Sequence, residues 1–182
     1  MPSTRLLGSF AAWLIMASTL AWAQEPTIGS EPPKLHGNTL DRTGIVIPDA
    51  CVGKVTLLLL GFSKNGGQLT AAWRTPFLAD FPPDPRLTYY TVALLERAPS
   101  LLRGMIRAGM RRSTPLAERA HVVTAMVDES AWINYMKLKD DRLPAVLLLD
   151  QTGRLSWFYI GSFDSSHYAS LKTAAKAALA KP

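Results

Sequence analysis

The chain has one sulfur nucleophile, Cys51, among its 182 residues. A lone cysteine cannot form a disulfide within the chain, so Cys51 could only pair with a thiol of another protein or act as a single-cysteine reductant. It lies in the turn segment IPDACVGKV, with no histidine or basic cluster beside it in sequence. The alternative is that Cys51 is an inert side chain filling part of the core.

Other catalytic groups do not form a recognisable pattern. Zinc and copper sites place Cys and His three or four residues apart, whereas His36, His121 and His167 are scattered. No glycine frame surrounds a serine, and no pair of carboxylates is marked out by its surroundings. We therefore predict no metal site, no cofactor and no hydrolase chemistry.

A polar, glycine-rich stretch joins an apolar run to a helical pattern. It consists of Ser63, Lys64, Asn65, Gly66, Gly67 and Gln68. Two glycines would let a partner backbone approach closely, and Asn65 and Gln68 could hydrogen-bond to a peptide main chain. The alternative is an ordinary strand-to-helix turn, in which Asn and Gly are the expected residue types.

Arginines recur in the segment that follows. They are Arg103, Arg107, Arg111 and Arg112. On a helix the first three share one face, and guanidinium groups bind phosphate and carboxylate bidentately. This spacing predicts a docking stripe for an anionic membrane surface or an acidic protein. The alternative is a solvated face opposite the apolar Leu101, Leu102 and Met105.

The charge balance fits anionic partners. The chain carries 20 basic and 14 acidic side chains, for a net charge of +6. Its N-terminus predicts export: Arg5 precedes an apolar run from Leu6 to Leu20, and Ala21-Trp22-Ala23 is a small-x-small cleavage site. A retained membrane anchor is the alternative. We expect a periplasmic protein, and no nucleic-acid partner, since an exported protein seldom meets one.

The sequence predicts three parts: a signal peptide over 1–23, a flexible leader over 24–34 and one domain over 35–182. Within the domain, a continuous apolar run over 55–62 indicates a strand covered on both faces. Two further apolar runs flank the turn Asp150–Gly153 and predict a hairpin. The other predicted elements are strands over 87–96 and 121–128, and helices over 67–81, 100–112, 129–138 and 165–180. Pro76 should kink or shorten the first helix.

This order of elements, with GKVTLLLLGF, a cysteine-free stretch and helix, and then LPAVLLLDQTGRLSWFYIG, resembles the thioredoxin-like superfamily. The leading segment is similar to that of TlpA-type exported thioredoxins. The resemblance implies an α/β fold: a mixed central sheet with helices on both faces, preceded by short N-terminal strands. It also implies that the residues from Asn65 to Gln68 stand where the redox dithiol would be, and that Pro144 matches a cis-proline facing them.

A narrower resemblance covers the second half of the chain. It looks like the mitochondrial ATP-synthase assembly factors that have a thioredoxin-like fold. The matching residues are Arg111, Arg112, Pro115, Asp150, Gly153, Arg154 and Trp157. Those proteins act from the matrix side of the inner membrane, whereas the predicted export signal puts this chain on the opposite side. The fold can therefore carry over while the client differs.

Without a dithiol, binding is the expected function rather than catalysis. We expect an exported, non-redox protein that binds a protein client and assists the assembly or quality control of a membrane complex. The residues predicted to meet the partner are Ser63, Asn65, Gly66, Gly67, Gln68, Pro144, Arg103, Arg107, Arg111 and Arg112. The alternatives are a thiol oxidoreductase that uses Cys51 and a small-ligand carrier that uses the same cleft.

Overall fold

The structure is a computed structural model, which describes residues 26–181. The predicted signal peptide and cleavage site lie outside the described residues. The strands are β1 (Leu35–Thr39), β2 (Gly44–Ile47), β3 (Val55–Gly61), β4 (Leu87–Leu94), β5 (Val122–Ala125), β6 (Ala145–Leu149) and β7 (Leu155–Ile160). The helices are α1 (Lys64–Asp80), α2 (Ser100–Ser113), α3 (Glu129–Met136) and α4 (Ser165–Leu179).

The strands of the described part form one mixed sheet in the order β2-β1-β5-β4-β3-β6-β7. Strands β3, β4 and β5 are parallel, whereas β1, β2, β6 and β7 pair antiparallel with their neighbours. Parallel strands need crossovers, and the segments containing α1 and α2 supply them. Strand β3 lies inside the sheet, and every one of its residues is buried, as its unbroken apolar run predicts.

The side chains of β3 pack alternately into two hydrophobic cores. Leu58 and Leu60 pack in the core that contains Trp132 of α3. Leu57 and Leu59 pack in the other, with residues of α1 and α4 such as Phe77 and Leu171. Because successive side chains of a strand point to opposite faces, the helices cover both faces of the sheet. The predicted mixed sheet, its helices on both faces and its leading strands β1 and β2 are thus confirmed.

The predicted hairpin forms at the turn between β6 and β7. An Asp150 carboxylate oxygen accepts the backbone N–H groups of Thr152 and Arg154, at 2.9 and 3.1 Å. Gly153 has φ +79°, a conformation that glycine adopts without strain. The first helix differs from expectation, because α1 begins at Lys64 and continues past Pro76 to Asp80. Pro76 therefore does not shorten it.

Part of the predicted flexible leader is attached to the sheet. The N–H of Gly29 donates to the carbonyl of Leu155 at 2.7 Å, and the N–H of Leu155 donates to the carbonyl of Ser30 at 2.9 Å. The Ser30 hydroxyl also lies 3.1 Å from the Tyr135 hydroxyl. This prediction was wrong from Gly29 onward, because the edge strand β7 offers backbone partners that composition alone does not reveal.

No helix within residues 26–181 combines the length and the apolar content needed to cross a membrane.

Candidate functional site

The candidate site lies where β3 ends and α1 begins. Gly61, at the end of β3, pairs with Ala93 of β4, and Leu60 pairs with Ala145 at the start of β6. Ala145 in turn pairs with Ile160 at the end of β7. The segments before β6 and after β7 therefore meet the start of α1 at this end of the sheet.

Ser63 is the N-cap of α1. Its backbone is extended, and its hydroxyl oxygen accepts the backbone N–H of Gly66 at 3.2 Å. The same hydroxyl donates to the carbonyl of Asp141 at 2.8 Å. Within residues 26–181 these are its polar contacts, so no side-chain base activates the hydroxyl. Ser63 fixes the start of the helix and ties it to the segment before β6.

The start of α1 bears on where a redox dithiol would stand. In a Cys-x-x-Cys motif at a helix N-terminus, the free amides of the first turn stabilise the first thiolate. In this chain the side chain that receives such an amide is Ser63, and the residue three positions later is Gly66. Because α1 begins at Lys64 rather than at the predicted Gly67, the helix geometry favours Ser63 and Gly66 over Asn65 to Gln68 as the positions that match a dithiol.

Two glycines let the backbone close up around this helix start. A β-carbon added at Gly61 would lie 2.6 Å from Cα and 2.8 Å from N of Gly67. One added at Gly66 would lie 3.0 Å from the carbonyl oxygen of Asp141. Gly66 is buried. Gly66 therefore allows close packing between α1 and the segment at Asp141. This differs from its predicted role, in which it would let a partner backbone approach.

The segment 140–143 covers one side of the helix start. The amide of Asn65 donates to the carbonyl of Arg142 at 3.0 Å, so this amide is engaged within the chain rather than offered to a partner as predicted. Arg142 in turn donates hydrogen bonds from Nε and Nη2 to the carboxylate of Asp140, at 2.9 and 2.8 Å. These hydrogen bonds from Arg142 lower the pKa of Asp140 to about 2. The segment is held in place by charged and backbone contacts.

Pro144 also differs from its predicted role. It is buried, and its carbonyl accepts the N–H of Gly161 at 3.1 Å. The cis peptide bond of the described residues is Ile47–Pro48, so the bond before Pro144 is not cis. The structure therefore brings Pro144 to the same end of the sheet as Ser63 but does not reproduce the expected cis-proline.

What remains open is one side of the first turn of α1. A β-carbon added at Gly67 meets nothing within 4 Å, and Lys64, Gln68 and the adjoining Arg142 are exposed. We call these four residues the helix-start surface. It is polar, with a positive charge at Lys64 and an ion pair between Arg142 and Asp140, and the backbone at Gly67 is accessible from outside. Of the residues predicted here, Gly67 and Gln68 lie on this surface, and their role in meeting a partner stays a prediction.

Helix α2 faces the opposite way from the prediction. Its arginines Arg103, Arg107 and Arg111 are half-buried, whereas its apolar face is exposed. Arg103 donates from Nε to the carbonyl of Ala98 at 2.9 Å, and from Nη2 to the carbonyl of Glu96. Arg103 thus anchors the helix rather than docking a partner. The alternative of a fully solvated face does not fit three half-buried arginines, whereas the docking stripe stays a prediction for Arg107, Arg111 and Arg112.

Cys51 lies at the other end of β3 from Ser63, roughly 20 Å away by the rise of the strand. It is fully buried in the core that contains Trp132. Burial raises the pKa of its thiol to about 11. A neutral, inaccessible thiol far from the helix start fits the interpretation that Cys51 is part of the core.

Alkylation tests this directly. Since the pKa lies about two units above the ordinary value of 9.0, the thiolate fraction at pH 8 should fall about 100-fold below that of a free thiol. Iodoacetamide should therefore modify native protein at least 100-fold more slowly than the same chain in urea, as followed by mass spectrometry. Rapid modification of the native protein at pH 7 would contradict the buried placement.

A separate cavity of about 570 Å³ lies at the far end of α1. It is lined mainly by apolar side chains, including Phe77, Phe81, Pro82, Leu87 and Tyr89. Because the candidate site lies at the N-terminal end of the same helix, a small ligand in this cavity would not share the predicted cleft.

The histidines have separate partners. His36 lies 2.8 Å from an Asp128 carboxylate oxygen, and His167 lies 2.9 Å from one of Asp164. The ring of His121 stacks on Tyr89. In the part of the chain that the structure describes, no three His, Cys, Asp or Glu side chains gather as metal ligands would.

No family model and no curated protein matches the chain by sequence. Solved structures do match it. A thiol:disulfide interchange protein DsbE from Chlorobium tepidum has a TM-score of 0.58 at 17% identity, covering 84% of this chain and 98% of that one. The exposed lipoprotein thioredoxin Etrx1 from Streptococcus pneumoniae has a TM-score of 0.55 at 14% identity, with 79% and 99% covered.

A third match is BsSco, from the Sco family of cytochrome c oxidase assembly proteins, with a TM-score of 0.58 at 11% identity and 87% and 98% covered. These likenesses show that the chain has a thioredoxin-like fold, and its single cysteine means that it has no Cys-x-x-Cys pair. The narrower resemblance to ATP-synthase assembly factors is untested by these matches and stays a prediction.

Proposed function

We propose that the protein is an exported, non-redox thioredoxin-like protein that binds other proteins through the helix-start surface. Its task would be to assist the assembly or quality control of a membrane complex. One observation carries the proposal: the helix N-terminus keeps its capped geometry at Ser63, while the chain has no Cys-x-x-Cys pair for thiol exchange.

The same geometry argues against residual redox chemistry. Exchange requires a thiolate that can reach a partner disulfide, and Ser63 supplies an alcohol without a base. Cys51 is buried at the opposite end of β3, and its pKa is raised to about 11. A single-cysteine oxidoreductase would need the reverse, an exposed thiol with a lowered pKa.

The helix-start surface has features that suit protein binding. Gly67 leaves the backbone open to close approach, and Gln68 offers both a donor and an acceptor. Lys64 adds a positive charge at the rim, while the charge of Arg142 is balanced by Asp140, and charge complementarity favours an acidic group on the partner beside Lys64. Segment 140–143 is held against α1, so the surface needs little ordering when a partner binds.

The likeness to other proteins supports the location and the assembly role. The pattern of residues 1–23 is that of an export signal, and one matching structure is an exposed lipoprotein thioredoxin. Another belongs to a family of cytochrome c oxidase assembly proteins. We infer an extracytoplasmic, periplasmic protein whose client is a membrane complex.

Site-specific photo-crosslinking in native membranes tests the proposal. A crosslinker at Gln68 samples the helix-start surface. A matched one at the exposed Lys54 samples the opposite end of β3. We expect a discrete protein adduct from position 68 and none above background from position 54. Because binding does not use a thiol, Cys51→Ala should leave the adduct unchanged.

A blocking variant sharpens the result. Gly67→Gln adds a side chain where there is open space, so the fold should tolerate it while the surface becomes covered. The adduct from position 68 should then fall at least tenfold. Equal adducts from positions 54 and 68, or an adduct that disappears with Cys51→Ala, would overturn the proposal.

A further inference from the structure

We propose that α2 lies on the surface of an anionic phospholipid bilayer, with its apolar face among the acyl chains and Arg107, Arg111 and Arg112 at the phosphates. The apolar face consists of Leu101, Leu102, Met105 and Ile106. This inference goes beyond the proposed function and does not depend on it, since it concerns another surface.

The apolar face is exposed to an unusual degree. Leu101 is 92% and Met105 is 65% exposed, and no residue of α2 is buried. Leu101 and Met105 lie four residues apart, as do Leu102 and Ile106, so all four share one side of the helix. Large exposed apolar patches on a protein mark places where it meets a partner or a membrane.

The charge of α2 is complementary to an anionic surface. The helix carries four arginines and no acidic residue. Arg103 is bound to backbone carbonyls, but Arg107, Arg111 and Arg112 make no hydrogen bond or ion pair with any residue of the described range. A helix with aliphatic side chains on one face and basic ones on the other is the type that lies in the membrane interface.

Apart from the hydrogen bonds of Arg103, the domain stabilises α2 only weakly. The helix has 14 residues, two of them the glycines Gly104 and Gly109, each with open space around the missing side chain. Helices of this length are marginal in water, and glycine weakens them further. Packing against the domain does not compensate, because no side chain of α2 is buried. A bilayer covering the apolar face would supply the missing stabilisation.

Composition favours a bilayer over a protein groove. Binding hot spots between proteins are rich in Trp and Tyr, whereas the exposed face of α2 offers only Leu, Met and Ile. Aliphatic side chains partition among acyl chains without needing a shaped pocket. The same helix carries three guanidinium groups that have no partner within the described residues, and such groups bind phosphates.

A fluorescent probe on the full chain tests the insertion. In a Cys51→Ala background, Leu101→Cys carries an NBD label, and Val52→Cys carries it in the control, since Val52 is also exposed. We expect vesicles of equal phosphatidylglycerol and phosphatidylcholine to shift the NBD emission at position 101 to the blue and raise it severalfold. Position 52 should not respond, so lipid binding by residues 1–25 cannot produce the signal.

Two sets of substitutions separate the contribution of the arginines to lipid binding from that of the apolar face. Each arginine near an anionic surface is worth about fivefold in binding, so Arg107→Gln with Arg111→Gln should weaken the response about 30-fold. Lys54→Gln with Lys139→Gln removes the same charge from exposed sites outside α2 and should have little effect. Leu102→Ser with Ile106→Ser should abolish the shift at position 101.

Three outcomes would overturn the inference. One is an NBD emission at position 101 that does not change when vesicles are added. Another is an equal response with pure phosphatidylcholine, which would remove the role of the arginines. The third is a blue shift that rises with protein concentration in the absence of lipid, which would assign the apolar face to a second copy of the chain.

Discussion

Gly61→Ala should lower the free energy of unfolding by about 3 kcal/mol, whereas Gly67→Ala should leave it unchanged or raise it by about 0.5–1 kcal/mol. A β-carbon at Gly61 would lie 2.6 Å from Cα of Gly67, and a backbone atom cannot swing aside as a flexible side chain can. Either the end of β3 or the first turn of α1 must then move. At Gly67 the added methyl group points into open space, and alanine is the better helix former.

The melting temperature and urea midpoint of the two variants measure this difference. A loss of about 3 kcal/mol corresponds to roughly 6–12 °C in a domain of this size. Gly66→Ala should fall between the two, because its β-carbon would lie 3.0 Å from the carbonyl oxygen of Asp141. Equal melting temperatures for Gly61→Ala and Gly67→Ala would contradict the close packing of β3 against the start of α1.

Trp73→Ala should lower the free energy of unfolding by about 3–5 kcal/mol. Trp73 of α1 is fully buried, and its ring packs against Tyr159 of β7 and Phe163 in the loop before α4. Its indole N–H donates to the carbonyl of Gly161 at 3.3 Å. Truncation would leave a large cavity between the helix and the sheet and would leave that carbonyl without its partner.

Two control variants separate the contributions to the Trp73 effect. Trp73→Phe keeps an aromatic ring but removes the hydrogen bond, so it should cost less than the alanine variant. Leu78→Ala changes an exposed residue of the same helix and should shift the free energy of unfolding by no more than about 0.5 kcal/mol. Urea denaturation followed by circular dichroism gives all three values. A Trp73→Ala cost as small as that of Leu78→Ala would contradict the buried position of the indole.

The sheet could be predicted from the sequence because its signals are local. An unbroken apolar run such as that of β3 fits a strand covered on both faces, and a turn such as Asp150–Gly153 between two apolar runs fits a hairpin. Both depend on residues close together in the chain. The start of α1 lies three residues before the predicted one, although Ser63 is a good N-cap residue, because the glycine pair after it is typical of a loop.

Other features depend on contacts between distant residues. The periodicity of α2 predicts an apolar face and a basic face, but it does not say which one meets the domain. The outcome is decided by the carbonyls of Glu96 and Ala98, which attract Arg103. Likewise, the amide of Asn65 is engaged by Arg142, which is 77 positions away in the chain. No local pattern indicates either contact.

The central claim is that this thioredoxin-like protein binds without thiol chemistry. The rate of insulin reduction by dithiothreitol, measured with the full chain and with Cys51→Ala, tests it most directly. We predict that both proteins leave the rate at its uncatalysed value, because the chain has no second cysteine to complete a dithiol and Cys51 is buried. Catalysis by the wild-type chain that is lost in Cys51→Ala would contradict the claim and assign the protein to the thiol oxidoreductases.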